Sequence, residues 1–80
     1  MVTFSGKVIG SWGAPVENAT ITIPAARKFD LSDSDGEFSI PNVTPGVYKI
    51  NVVQRYYRKF QFTYRIDRDL RLEITLARGR

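Results

Sequence analysis

Between Phe60 and Leu76 the chain alternates apolar and polar side chains twice over. Phe60, Phe62, Tyr64 and Ile66 alternate with Gln61, Thr63, Arg65 and Asp67; Leu70, Leu72, Ile74 and Leu76 alternate with Arg71, Glu73 and Thr75. Successive side chains of a strand point to opposite faces, so a period of two gathers one apolar row on one side of a sheet. No window offers the 3.6-residue spacing of an amphipathic helix, and the chain is therefore expected to be all-β.

The same period runs upstream. A first strand around Thr3 to Ile9 carries Phe4 and Val8 on one face, and "SWGAP", with Gly13 and Pro15, turns the backbone. Ala19, Ile21 and Ile23 share a face of the second strand, which Pro24 ends because proline brings no amide to a ladder. Phe29 and Leu31 mark a short third strand, and Phe38 with Ile40 a fourth. "PNVTPG" is the next break. Residues 47 to 54 form a fifth strand with Tyr48, Ile50 and Val52 on one face; Val47 and Val53 on the other suit a central position. With strands over 60–66 and 70–76 the count is seven, which favours an antiparallel two-sheet sandwich over a closed barrel. "ARGR", residues 77 to 80, reads as a frayed tail.

One acidic stretch, "SDSDGEFSI" at 32 to 40, has two readings. As a calcium loop aligned on Gly36 it would place Asp33 third and Asp35 fifth, but Leu31 then falls at the first ligand position and Asn42 at the twelfth, where a bidentate glutamate belongs. As a hairpin turn it needs only Asp-Gly, which tolerates positive φ, before the alternation of Glu37, Phe38, Ser39 and Ile40. The hairpin is the expectation, and no metal or cofactor site is expected.

Eighty residues, 42% hydrophobic and 25% charged, make one small domain over 1–80. Cysteine and histidine are both absent, which removes disulfides, thiolate or imidazole metal ligands, and serine or cysteine nucleophiles activated by histidine. The chain is expected not to be an enzyme. No run approaches the ~18 apolar residues of a membrane span, and "MVTFSGKVIG" lacks the charged head and long apolar stretch of a signal peptide; the chain is expected to be soluble.

Four pieces in order carry a resemblance: "GKV" at 6–8, "GAPVENATI" at 13–21, "SDSDGEFSI" at 32–40 and "PGVYKINV" at 45–52. With them the chain resembles the carboxypeptidase regulatory-like domain family, from Gly6 to Leu76. It departs from the family at "RYY", residues 55–57, where Gly-Tyr is usual. The resemblance implies a transthyretin-like (prealbumin-like), broadly immunoglobulin-like sandwich. In it Gly13 and Gly46 serve tight turns, Ala19 fits a close approach of sheets, and Tyr48 fills the core with its hydroxyl near the edge. It also implies an accessory module without catalytic residues, attached to a larger protein that is extracytoplasmic or at the cell surface.

Charge supplies the functional lead. Residues 1–54 hold four Lys or Arg against five Asp or Glu, and residues 55–80 hold eight against three, so a segment of net −1 precedes one of net +5. In "RYYRKFQFTYRIDRDLR" the cations Arg55, Arg58, Lys59, Arg65, Arg68 and Arg71 interleave with Tyr56, Tyr57 and Tyr64. That composition suits phosphate contact and base stacking. The alternation places Phe60, Phe62, Tyr64 and Ile66 in the core, which leaves Tyr56 and Tyr57 as the exposed aromatics; Asp67 and Asp69 are available to neutralise arginines across strands. Trp12, between Ser11 and Gly13, either stacks a sugar or folds back over one end of the core, and its large apolar area favours folding back. Sequons at Asn18 and Asn42 would accept glycans in a secretory compartment.

The expected function is a non-catalytic accessory or protein-interaction module whose contact surface is Arg55, Tyr56, Tyr57, Arg58, Lys59, Arg65, Arg68, Arg71 and Trp12. Its partner is another protein or a neighbouring domain, or an acidic surface. The alternatives are a small basic nucleic-acid-binding protein and a carbohydrate-binding module.

Overall fold

Alternation becomes architecture in the computed structural model, which describes residues 1–78. Seven strands follow in order: β1 Val2–Gly10, β2 Thr20–Ile23, β3 Lys28–Leu31, β4 Glu37–Val43, β5 Gly46–Val53, β6 Phe60–Ile66 and β7 Leu70–Leu76, with a single 3₁₀ turn, Pro24–Ala26, after β2. They form a sandwich of a three-stranded sheet ordered β4-β1-β7 and a four-stranded sheet ordered β3-β2-β5-β6. β5 lies inside its sheet, as its two apolar faces suggest, although Val47 and Val53 reach solvent on the outer face. Among the described residues no helix is long and apolar enough to cross a membrane.

Cross-strand pairs explain what is buried. Ile21 faces Val52 across β2 and β5, while Phe4 faces Ile40 across β1 and β4. Residues directly opposite one another share a face, so these rows meet between the sheets. Phe4, Val8, Ile21, Ile23, Ile50, Val52, Ile66 and Leu76 are fully buried there. Gly6 occupies the same inner row, opposite Phe38 on one side and Leu72 on the other. A Cβ on Gly6 would run into the Leu72 carbonyl, so glycine is what lets β1 and β7 pair beneath the Phe4 and Phe38 rings, whose centroids stand 5.4 Å apart.

Four departures from the sequence-based expectations have physical causes. The β1–β7 pair is parallel, Phe4 opposite Leu70 through Gly10 opposite Leu76, so the otherwise antiparallel sandwich contains one parallel ladder. The Asp-Gly turn is real but no hairpin: β3 belongs to one sheet and β4 to the other, and the turn carries the chain between layers. Ala77 and Arg78 are held rather than frayed, because the Arg58 amide donates to the Ala77 carbonyl at 2.9 Å and Tyr57 pairs with Arg78; Gly79 and Arg80 of the expected tail lie outside the described residues. Gly46 is the first residue of β5 rather than part of the turn, and the Tyr48 ring lies where its Cβ would point.

The two layers also differ in width. With strands spaced about 4.8 Å apart, the sheet of four overhangs the sheet of three by one strand. On one side β3 sits over β4, and the Asp30 carboxylate accepts the Ser39 amide at 2.8 Å. The overhang therefore falls at β6.

Candidate interaction surface

One end of the sandwich gathers the first half of the basic, aromatic set. The β5–β6 connection is a turn in which the Tyr57 amide donates to the Gln54 carbonyl at 3.1 Å. Gln54 uses its whole side-chain amide to fix this turn: Oε1 accepts the Tyr56 amide at 2.7 Å, and Nε2 donates to the Glu17 carbonyl at 3.0 Å. That second bond ties the turn to the β1–β2 connection, which carries Trp12. Tyr57 tightens the same junction, its hydroxyl lying 2.9 Å from where a Cβ on Gly10 would stand. It is half-buried against the core rather than exposed, because its ring covers a glycine that leaves it room.

Trp12 is 91% exposed and does not fold back over the core. The reason is local: the Gly10 amide donates to Ala14 and the Gly13 amide to Gly10, with Gly13 at φ 82°, and this tight turn lifts the indole outward. Tyr56 is 61% exposed, with the Arg55 guanidinium 5.5 Å above its ring. Arg55, Arg58 and Lys59 are exposed too. Among the described residues none of the three has a carboxylate within ion-pair distance, so an end of the molecule presents open cations beside two bare rings.

Arg65, Arg68 and Arg71 stand elsewhere. Arg65 is five residues along β6 from Phe60, about 16 Å away at strand rise, on the outer face opposite Val47. Arg68 lies in the β6–β7 connection and pairs with its neighbour Asp67 at 3.4 Å. Arg71 is on the outer face of the three-stranded sheet and reaches Glu37 at 3.3 Å. Among the described residues Asp69 pairs with no arginine; its carboxylate accepts the Thr3 amide at 2.8 Å.

The inward row of β6 is only partly covered. Its partners across the ladder are core residues, Val52 opposite Phe60 and Ile50 opposite Phe62, yet Phe60 and Tyr64 are each 40% exposed and Phe62 is half-buried. The expectation that all four alternating residues are core holds for Ile66 alone. The three rings line the strand, Phe60 tilted against Phe62 at 5.3 Å and Phe62 edge-on to Tyr64 at 6.4 Å, and they face a side of the sandwich where the three-stranded layer of the described residues has no fourth strand.

The acidic stretch is occupied by its own turn. Asp33 Oδ1 accepts the amides of Asp35 and Glu37, both at 2.9 Å, and the Gly36 amide donates to the Asp33 carbonyl at 2.8 Å. Among the described residues no three acidic side chains cluster as a metal site would require.

The model of the carboxypeptidase regulatory-like domain matches residues 3–77. The chain belongs to that family. No curated protein matches this regulatory-like domain at a significant level. Solved structures do match. One is a chain from a type II cohesin–X–dockerin complex of Acetivibrio cellulolyticus carrying an N-terminal interface mutation, with a TM-score of 0.86 and 24% identity over 99% of this domain and 59% of that chain. Another, from the C-terminal interface mutant of the same type of complex, has a TM-score of 0.83 and 24% identity over 95% of this domain and 57% of that chain. The domain thus spans under two thirds of the length of the chains it matches, and the likeness is one of fold.

Of two further features of this regulatory-like domain, one is hidden from the local sequence and one is not. Ser32 is almost wholly buried; its hydroxyl donates to the Val16 carbonyl at 2.6 Å and accepts the Ala19 amide at 2.9 Å, stitching the β1–β2 connection to the end of β3. Asn18 and Asn42, the two sequon asparagines, both hold left-handed backbone, at φ 63° and 60°. Ser32 is held by Val16 and Ala19, 16 and 13 residues earlier in the chain, so its local sequence carries no signal of its burial. The asparagines do carry one, since asparagine is among the few side chains that tolerate this conformation.

Proposed function

We propose that this domain is a non-catalytic interaction module of a larger protein and that it meets an acidic protein surface with the end bearing Trp12, Arg55, Tyr56, Arg58 and Lys59. The observation that carries this reading is the rigid support of that end. Gln54 spends both ends of its amide on holding the loop, so the cations and rings it presents are partly ordered before a partner arrives, which lowers the entropic cost of binding. Exposed aromatic and arginine side chains are the types that dominate protein interfaces.

Trp12 is the one tryptophan in the chain, and its fluorescence reports on this end directly. Polyglutamate added at low salt is expected to change the Trp12 emission, and polylysine to leave it unchanged. Raising the salt should reverse the change, because screening shortens the reach of exposed charges to about 8–10 Å. An emission that polyglutamate leaves unaltered contradicts the proposal.

A second reading rests on the bare indole. A ring 91% exposed can stack on a base or a sugar, and the neighbouring cations fit phosphate better than neutral sugar. A single-stranded oligonucleotide that quenches Trp12 with a steep salt dependence supports nucleic acid, whereas a salt-independent change with an oligosaccharide supports carbohydrate.

A further inference from the structure

We propose that the free edge of β7 receives an extended acidic segment of a partner protein, which adds a fourth strand to the three-stranded sheet and closes over Phe60, Phe62 and Tyr64. The proposal rests on reading the domain as an interaction module; its surface runs along β7 and meets the Trp12 end at Arg58 and Lys59.

Three observations lead here. First, the sheets are unequal, four strands over three, and the inner face that lacks an opposing strand is the aromatic row of β6. A strand laid beside β7 would occupy the layer beneath that row. Second, β7 is the last strand of its sheet and is regular: its seven residues pair with β1 in unbroken register. Exposed edges are commonly blunted by proline, bulges or shortness. Among the other edges, β4 carries Pro41, Asn42 at φ 60° and a register irregularity, β3 has four residues, and β6 is as long and regular as β7 but has the aromatic row on its own face rather than opposite its free side. β7 has none of these devices, and its inward Leu70 and Leu72 are only half-buried. Third, the lane has ends. The Tyr57–Arg78 bridge and the Arg58 amide bond to Ala77 close one, and the connection from Asp67 to Asp69 closes the other. Between them lie seven residues, about 20–23 Å of strand.

Charge selects the occupant. Arg58 and Lys59 stand at one end of the lane, and at the other a depression is lined by Tyr64, Leu70, Arg65 and Arg68 together with Asp67. Asp67 is spent on Arg68, and among the described residues Arg58, Lys59 and Arg65 have no carboxylate partner. A second copy of this chain would bring another net charge of +4 to the same place. A segment alternating aliphatic side chains toward the rings with carboxylates toward solvent satisfies both the apolar row and the basic ends, with backbone pairing supplying affinity and side chains supplying selectivity.

The probe is a capped peptide of about seven residues alternating valine and glutamate, matched to the length of β7. Titrated into isotopically labelled protein, it is expected to shift the amide resonances of 70–76 and to slow their hydrogen exchange at least about fivefold. The same peptide N-methylated on the edge that faces β7 keeps its side chains but loses its donors, and is expected not to bind. A valine–lysine peptide should bind at least about tenfold more weakly. The proposal is overturned by absence of binding, by an N-methylated peptide that binds equally well, or by valine–lysine affinity equal to valine–glutamate. Resonance changes confined to Trp12 and 54–58 would likewise overturn it while supporting the loop-end surface. Concentration-dependent dimers that protect 70–76 without peptide would assign the lane to a second copy and overturn the acidic occupant.

Discussion

Asn18, Arg27 and Asn42 are the non-glycine residues with positive φ among the described residues. An L side chain pays for left-handed backbone with a clash between Cβ and the carbonyl oxygen, of roughly 1–2 kcal/mol, and asparagine pays less than most. Arg27 follows the 3₁₀ turn, its amide donating to the Pro24 carbonyl; Arg27→Gly is expected to raise stability by about 0.5–1 kcal/mol, read as a higher denaturant midpoint. Asn18→Val should lower it by about 1–2 kcal/mol. Ser32→Ala removes the acceptor of the buried Ala19 amide and should cost about 1–3 kcal/mol in the same measurement. At this scale the sequence is readable where chemistry is local. Asp33, Gly36 and the asparagines declare turns through their own backbone preferences. Trp12 does not declare its exposure, because burial depends on what the rest of the chain places above it, and a turn held by Gly10, Gly13 and Ala14 turns it away.

Strands and their turns were legible as elements, but their partners were not. The alternation of Phe60–Ile66 tells which side chains share a face; whether another sheet covers that face depends on strand count in the opposite layer. Likewise "SDSDG" encodes a turn, while the assignment of β3 and β4 to different sheets comes from contacts far away in sequence, and so does the parallel pairing of β1 with β7. Gly6 shows the consequence. Gly6→Ala would press a methyl group against the Leu72 carbonyl and the Phe38 ring, and should destabilise by about 1–3 kcal/mol or more as the β1–β7 ladder shifts. Hydrogen exchange at 70–76 is expected to rise more than exchange in β5; equal acceleration in both would mean that Gly6 has no special part in that ladder. The β5–β6 loop behaves as an element of its own through Gln54. Gln54→Ala should leave the sheets intact but sharpen the amide signals of 55–57 toward those of a mobile loop.

For the whole molecule, stability and recognition occupy different residues. A domain of this size is held by about 4–12 kcal/mol, drawn from the row of buried side chains between the sheets. The solvent-exposed ion pair of Arg71 with Glu37 adds at most about 1 kcal/mol. The cations Arg55, Arg58 and Lys59 contribute nothing to the core and stand without carboxylate partners among the described residues. Their clustering late in the chain was evident from composition alone, whereas the separation of Arg65, Arg68 and Arg71 from them required the strand register. Replacing Arg55, Arg58 and Lys59 together with serine, and measuring both the melting temperature and the polyglutamate affinity seen by Trp12, therefore separates fold from recognition. The expected result is a melting temperature lowered by no more than about 6–12 °C, the bound set by three surface substitutions at under 0.5 kcal/mol each, with affinity reduced at least about tenfold. Undiminished affinity in a folded variant would contradict the assignment of recognition to this end of the sandwich.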